Sequence, residues 1–378
     1  MKKLSEDSLR FLIAGGGTGG HVFPAISIGE AIREECPDAE FLFVGAQGRL
    51  EMERVPAASF RIEGLPVEGM PRGGSLKRYA TFLSHFNRSF RRSWGLLREF
   101  EPDVAIGVGG YASAPTLLCA QLLRIPTLLQ EQNSYAGRAN RMLSKRAKKV
   151  CVAYEGMGRY FPAATLELTG NPVRADLLRP LPNQEEARRA MGLPTEGRVV
   201  LVMGGSLGAR TLCDAVIAGA QRLREAEGLT VVLQAGHANY ARARQELEAQ
   251  GAGCIHVVEF IEDMPQAFAA ADVIASRAGA ISISELTIVG KPVILVPSPN
   301  VAEDHQTKNA MALTEAGAAV LVRDGEAKER LIGELLSLLG DEERMARYAM
   351  RIKQMAKPDA ARTIARLAIA LAEERKGE

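Results

Sequence analysis

The chain has little cysteine, few aromatics and no long apolar run. Its 378 residues include five cysteines, Cys36, Cys119, Cys151, Cys213 and Cys254. They are odd in number and far apart, and no two form a Cys-x-x-Cys pair. That excludes a disulfide framework and gives no case for a zinc site; the pattern suits a reducing compartment. No apolar stretch reaches the roughly 18 residues that a bilayer-spanning helix needs. Met1–Asp7 carries no signal-peptide core. Asp-x-Asp is absent, so no metal clamp is expected, and neither is a cofactor. Neither sign of charge dominates: 47 Lys and Arg face 45 Asp and Glu, a net +2 that says little. A cytoplasmic protein is expected, one that could still lie on a membrane surface.

Glycine is plentiful and placed. Gly15-Gly16-Gly17-Thr18-Gly19-Gly20-His21 follows the apolar run Phe11–Ala14 and precedes apolar residues at helical spacing, Val22, Ile26, Ile28 and Ile32. This is a strand-to-helix turn. There glycines let a ligand approach the main chain, and the helix start offers unpaired N–H groups to an anion. The spacing Gly15-x-Gly17-x-x-Gly20 fits the dinucleotide fingerprint, but the acid expected about 20 residues on is missing. After Phe41–Val44 comes Gly45-Ala46-Gln47. The plainer alternative is a tight turn without a ligand. Against it, so many glycines cost chain entropy unless something must come close.

Short apolar runs alternate with helix-length segments. Phe41–Val44, Arg61–Leu65, Asp103–Gly107, Pro126–Leu129 and Lys149–Val152 read as strands of a doubly wound parallel sheet. Prolines 162, 172, 180 and 182 crowd a stretch that reads as an interdomain linker. The pattern then restarts with Arg198–Met203 and a second glycine turn, Gly204–Arg210. Thr230–Leu233, Ile255–Glu259, Asp272–Ala275, Pro292–Val296 and Ala319–Val322 follow as strands, and Pro358–Arg375 as a long amphipathic helix. Two similar α/β domains are expected, with ligands at the carboxyl ends of their strands and a cleft between them. The expected boundaries are 1–170, 171–357 and a C-terminal helix over 358–378 that packs back on the first domain.

One stretch stands apart. From Met70 to the residue before Glu99 there is no acid, while Arg72, Lys77, Arg78, Arg88, Arg91, Arg92 and Arg98 occur. Phe82, Phe86, Phe90 and Trp94, the sole tryptophan, recur every fourth residue. Such a stripe reads equally as core or as a helix lying on an anionic membrane. Nucleic acid ranks last as a partner, because nothing else in the chain resembles a nucleic-acid motif.

Eight segments in order carry a resemblance: Gly16–Pro24, Gly107–Pro115, Glu131–Asn133, Gly170–Arg174, Gly204–Ala209, Glu259–Met264, Arg277–Glu285 and Asp304–Ala310. Together they resemble the UDP-GlcNAc-dependent N-acetylglucosaminyltransferases of peptidoglycan synthesis, in glycosyltransferase family 28. The family usually has His where Gln130 stands, often Gln at Leu207, and His and Ser or Thr at Leu233 and Ala235. The resemblance implies a GT-B fold of two Rossmann-like domains. It also implies inverting transfer of GlcNAc from UDP-GlcNAc to the 4-hydroxyl of MurNAc in lipid I, giving lipid II. The partners implied are that donor, that lipid-linked acceptor and an anionic membrane surface, with the protein peripheral on the cytoplasmic face.

The residues themselves offer a place for the departing diphosphate: backbone N–H groups at the helix start with the Ser206 hydroxyl, and Arg174 as a fixed positive charge; the plainer reading of Ser206, an ordinary helix cap, is compatible with this. The resemblance distributes further roles. Glu285, at the end of Ala280-Ile281-Ser282-Ile283-Ser284, would take the ribose hydroxyls, and the Ile261 main chain the uracil edge. Gln306 would bind the donor sugar. Thr18, Gly19, Gly20 and Asn133 would approach sugar and acceptor, and Gly109, Gly110 and Tyr111 the acceptor. Two residues are candidates for the base. His21 has an imidazole whose ordinary pKa is about 6.5; Glu131 would need burial to raise its own. Two alternatives remain: a UDP-GlcNAc 2-epimerase of the same fold, and a non-catalytic binder of lipid carriers.

Overall fold

In the computed structural model residues 8–69, 76–205, 208–301 and 304–377 are described, Leu76 and Lys77 by backbone alone. They fall into two units, Met1–Arg174 with Pro358–Glu378, and Ala175–Lys357.

The first unit is built on seven parallel strands: β1 (Arg10–Ala14), β2 (Glu40–Ala46), β3 (Ile62–Leu65), β4 (Val104–Gly107), β5 (Thr127–Glu131), β6 (Lys149–Val152) and β7 (Leu166–Leu168). Their order is β3-β2-β1-β4-β5-β6-β7. Its helices are α1 (Gly19–Glu35), α2 (Glu51–Ala57), α3 (Leu76–Phe100), α4 (Ser113–Leu122) and α5 (Arg138–Leu143). A parallel sheet is covered on both faces, so its strands carry apolar side chains in both directions. In β1, Phe11 and Ile13 join Ile28 and Ile32 of α1 on one face, while Leu12 and Ala14 join Leu96, Leu97 and Leu117 on the other.

The second unit repeats the design. Its strands are β8 (Arg198–Met203), β9 (Leu229–Gln234), β10 (Ile255–Val258), β11 (Val273–Ser276), β12 (Val293–Leu295) and β13 (Val320–Leu321), ordered β10-β9-β8-β11-β12-β13 and all parallel. Nine helices accompany it among the described residues: α6 (Gln184–Ala190), α7 (Arg210–Ala218), α8 (Ala220–Glu225), α9 (His237–Ala249), α10 (Met264–Ala270), α11 (Ala280–Val289), α12 (His305–Glu315), α13 (Ala327–Leu339) and α14 (Glu342–Gln354).

The proline-rich stretch holds more than a linker. β7 lies within it and pairs with β6, and the units divide at Arg174. Prolines stop a long helix but tolerate a short edge strand, and three residues of Leu-Glu-Leu are too few to show an alternation. The last helix, α15 (Ala360–Gly377), returns to the first unit. Ile364, Ala365, Ala368, Leu371 and Ala372 pack with Ile28 and Ile32, the alanines letting the helices approach closely. Arg366 reaches Glu35 at 2.9 Å, and Arg375 Nη1 donates to the Pro102 carbonyl at 3.1 Å.

In each sheet the connections reverse direction beside the first strand, between β1 and β4 and again between β8 and β11. The crevice at such a switch point, beyond the carboxyl ends of the strands, is where open α/β sheets bind ligands. The loops that open there are the glycine turns singled out in the sequence.

Candidate active site

In the first unit two glycine loops meet. Gly110 has φ +83°, and a Cβ on it would lie 2.1 Å from the Gly16 carbonyl oxygen, so only glycine lets the loops touch. Gly109 faces the His21 ring, where an added Cβ would come within 2.9 Å of Cδ2 and Nε2. Thr18 is the N-cap of α1 and gives no side-chain cap to the helix. Its hydroxyl instead lies 3.2 Å from His21 Nδ1, a hydrogen bond whose direction follows the imidazole tautomer. Thr18 and Gly20 are exposed and Gly19 and His21 half-buried. The ring of Tyr111 is half exposed beside this loop. The Arg174 guanidinium lies 5.5 Å from the centre of the Phe23 ring, two residues past His21.

The polar end of β5 turns inward. Gln130, Glu131 and Gln132 are all buried. Gln130 Nε2 donates to Asn171 Oδ1 at 2.9 Å, Asn171 Nδ2 to the Gln132 carbonyl at 3.1 Å, and Gln132 Nε2 to the Val108 carbonyl at 2.6 Å. This amide chain ties the Gly107–Gly110 loop to the segment Gly170–Arg174. Glu131 uses both oxygens as acceptors. Oε1 takes the Asn133 amide and side chain at 3.2 and 3.3 Å; Oε2 takes Gly137 N at 3.1 Å and Asn140 Nδ2 at 2.9 Å. Burial pushes its carboxyl up, and the donors from Asn140, Gly137 and Asn133 pull the other way. The structure therefore sets Asn133 against Glu131 and His21 against Thr18 and Gly109.

In the second unit the loop after β8 is held by Gln234, whose Oε1 accepts from Gly204 N at 3.1 Å. Ser206 and Leu207 lie outside the described residues. Ala280, Ile281 and Ile283 of α11 are buried, Ser282 and Ser284 half-buried. Glu285, 6% exposed, stands in the second turn of this helix and not the first. The loop before α11 is fixed by Arg277, which pairs with Asp324 and donates to the Val296 carbonyl at 3.0 Å; Thr211 donates to the same Asp324 at 3.2 Å. Ile261, half-buried after β10, packs on the core of this unit. Gln306 accepts from Ser298 N at 2.9 Å, folding back on the loop after β12 instead of lying on a solvated face.

The aromatic stripe of α3 divides along its length. Phe90 and Trp94 pack against the first unit's core, where Ser93 meets Thr116 of α4 at 3.1 Å. Phe82 and Phe86, nearer the helix start, are half-buried but outside that core, and beside them Tyr79 is 41% and Leu83 57% exposed. Arg88 and Arg91 are exposed, and Arg92 pairs with Glu63 at 3.0 Å. Arg72 lies outside the described residues, as does the side chain of Lys77. Among the described residues no helix is long and apolar enough to cross a membrane. No group of three His, Cys, Asp or Glu among them could hold a metal ion.

Two parallel sheets of the same winding, each with a glycine loop at its switch point, define a GT-B glycosyltransferase fold. The glycosyltransferase family 28 N-terminal domain matches residues 11–152 and the family's C-terminal domain residues 199–364. The chain belongs to this family. It is 48% identical over 374 residues to the UDP-N-acetylglucosamine–N-acetylmuramyl-(pentapeptide) pyrophosphoryl-undecaprenol N-acetylglucosamine transferase of Bacteroides fragilis, covering 99% of this chain and 98% of that protein. The protein of the same name from Cytophaga hutchinsonii is 49% identical over 355 residues, 94% of this chain and 95% of the relative. Among solved structures, MurG of Acinetobacter baumannii aligns with TM-score 0.75 and 27% identity over 96% of this chain and 99% of that one. The UDP-GlcNAc 2-epimerase of Neisseria meningitidis aligns with TM-score 0.68 over 96% of this chain and all of its own, at 14% identity, and so shares the fold alone.

Glu51, Gln132, Asn140 and Asn171 hold the loops of the first unit, and Gln234 and Asp324 those of the second; Gln132, Asn171 and Gln234 stand in stretches the sequence marks but carry no role there, and Glu51, Asn140 and Asp324 are not marked at all. Many of their partners are main-chain groups or lie tens of residues away, such as Gly17 for Glu51 and Arg277 for Asp324, which no local spacing displays.

Proposed function

We infer that this protein transfers N-acetylglucosamine from UDP-GlcNAc to the muramoyl 4-hydroxyl of lipid I, with inversion, forming lipid II of peptidoglycan. The near-complete match to transferases of that name carries the inference; the loops at both switch points supply groups suited to it. The first unit takes the acceptor at Gly109, Gly110 and Tyr111. His21 is the base: its Nδ1 is held by Thr18, which fixes the imidazole for proton transfer. Glu131 orders the loop carrying Asn133, because four donors occupy its two oxygens. The second unit holds the donor, with Glu285 on the ribose, the Ile261 main chain on uracil and Gln306 on the sugar. The open start of α7 and Ser206 receive the diphosphate. Developing charge on the leaving UDP is met by these fixed dipoles.

The exposed side chains of α3, Tyr79, Leu83, Arg88 and Arg91, dock peripherally on the anionic cytoplasmic face of the membrane, where the lipid acceptor resides. Supplying UDP-GlcNAc labelled in the sugar, with a lipid-linked muramoyl-pentapeptide, tests the reaction. Label should pass into the lipid fraction; label that stays with the nucleotide contradicts it.

A further inference from the structure

Glu51 opens α2 and is 1% exposed. Oε1 accepts from Ala46 N at 2.8 Å and Gly17 N at 2.9 Å, while Oε2 accepts from Gly17 N at 3.0 Å. The carboxylate thus lies under the first glycine loop and reaches back 34 residues to grip it. Two glycines make room for it. A Cβ on Gly16, whose φ is +145°, would fall 2.1 Å from Oε1, and one on Gly45 would fall 2.5 Å from Cγ. Burying a carboxylate is costly unless hydrogen bonds replace water. An acid that merely favoured the start of α2 would serve as well in solvent. This one is buried where its bonds run to the loop that launches α1.

We propose that Glu51 is a positioning residue for the transfer. By gripping Gly17 it fixes the turn that sets Thr18 as the cap of α1 and brings the His21 imidazole against Gly109. Gly110 closes on Gly16 from the other side, so the loop is held from two directions. The carboxylate touches no reacting atom in this role; it acts through the loop. The proposal rests on His21 being the base, and the experiment separates the two.

The test is a cycle of Glu51→Gln, His21→Ala and the double variant, with kcat and donor KM measured separately. Glutamine keeps the shape but sets an N–H₂ against the Gly17 N–H. Displacing a reacting group by about 1 Å costs on the order of 10²-fold in rate. Glu51→Gln should therefore lower kcat by about 10²-fold with donor KM unchanged. Calorimetry should still count one UDP bound per chain, which sets misfolding aside. On His21→Ala, the Glu51 change should cost less than about threefold more, because residues acting as a unit are not additive. Wild-type kcat in Glu51→Gln overturns the proposal, and so do two losses that multiply in full. If His21→Ala keeps wild-type kcat, the base assignment falls by itself. A kcat loss in Glu51→Gln at constant donor KM then still supports the grip on the loop, and an unchanged kcat still overturns it.

Discussion

His21 and Glu131 differ in what surrounds them, and pH separates their roles. Removing a general base costs about 10²–10⁴-fold in rate, so His21→Ala should lower kcat by that much and leave donor KM nearly unchanged. The acidic limb of the pH–rate profile, where a base is lost by protonation, should vanish with it. Glu131→Gln disturbs its loop, because both oxygens of Glu131 accept from donors and an amide opposes one pair. It should lower kcat but keep the acidic limb; a limb lost from Glu131→Gln and kept in His21→Ala would reverse the assignment. Glu285→Ala should act on binding: losing a charged partner of the ribose costs about 1.5–3 kcal/mol, seen as a raised donor KM. An unchanged KM with a collapsed kcat would reject that role. The cysteines give a check independent of function. Burial pushes the thiols of Cys119 and Cys151 up to about 12 and that of Cys213 to about 11. Near pH 8 almost none of these is thiolate, so a disulfide reagent should reach Cys36 and Cys254 first. Rapid labelling of the other three in native protein would contradict the burial. At this scale the sequence displays residues that stand in its glycine turns, such as Gly110 and His21, though not that the two turns meet. It hides Glu51, whose partners are main-chain N–H groups, one of them 34 residues away at Gly17, and whose place at a helix start has a simpler explanation.

Among the elements, α3 and α15 make opposite use of amphipathic patterns. The stripe Phe82, Phe86, Phe90 and Trp94 has one period along its whole length, so the sequence does not show where it leaves the core. The answer depends on α4, which covers only the later turns. The exposed part carries the membrane proposal. Each basic residue near an anionic surface contributes about 1 kcal/mol. Arg88→Glu with Arg91→Glu should thus weaken co-sedimentation with anionic vesicles while sparing Arg92 and its partner Glu63. Salt should do the same, since screening acts over about 8–10 Å. Unaltered pelleting would assign this surface to something other than lipid. α15 is legible as a helix, and its apolar face buries against α1. Ile364 is fully buried there, so Ile364→Ala should cost about 2–5 kcal/mol of stability. A melting temperature equal to wild type would mean that α15 is not part of the first unit's cooperative core.

For the molecule as a whole, the two windings were legible because each begins with a strand, a glycine turn and a helix. Doubly wound sheets repeat that opening, and buried parallel strands stand out as apolar runs such as Val199–Met203. The boundary was less so, because prolines mark both the edge strand β7 and the passage to the second unit. Fold by itself does not separate a transferase from an epimerase, as the Neisseria structure shows. The deciding measurement is UDP release in three arms: UDP-GlcNAc alone, UDP-GlcNAc with the lipid-linked muramoyl-pentapeptide, and the lipid alone. Release only when donor and acceptor are both present, with GlcNAc recovered on the lipid, is the expected result. Epimerised sugar from the donor alone, or acceptor binding without UDP release, would contradict it.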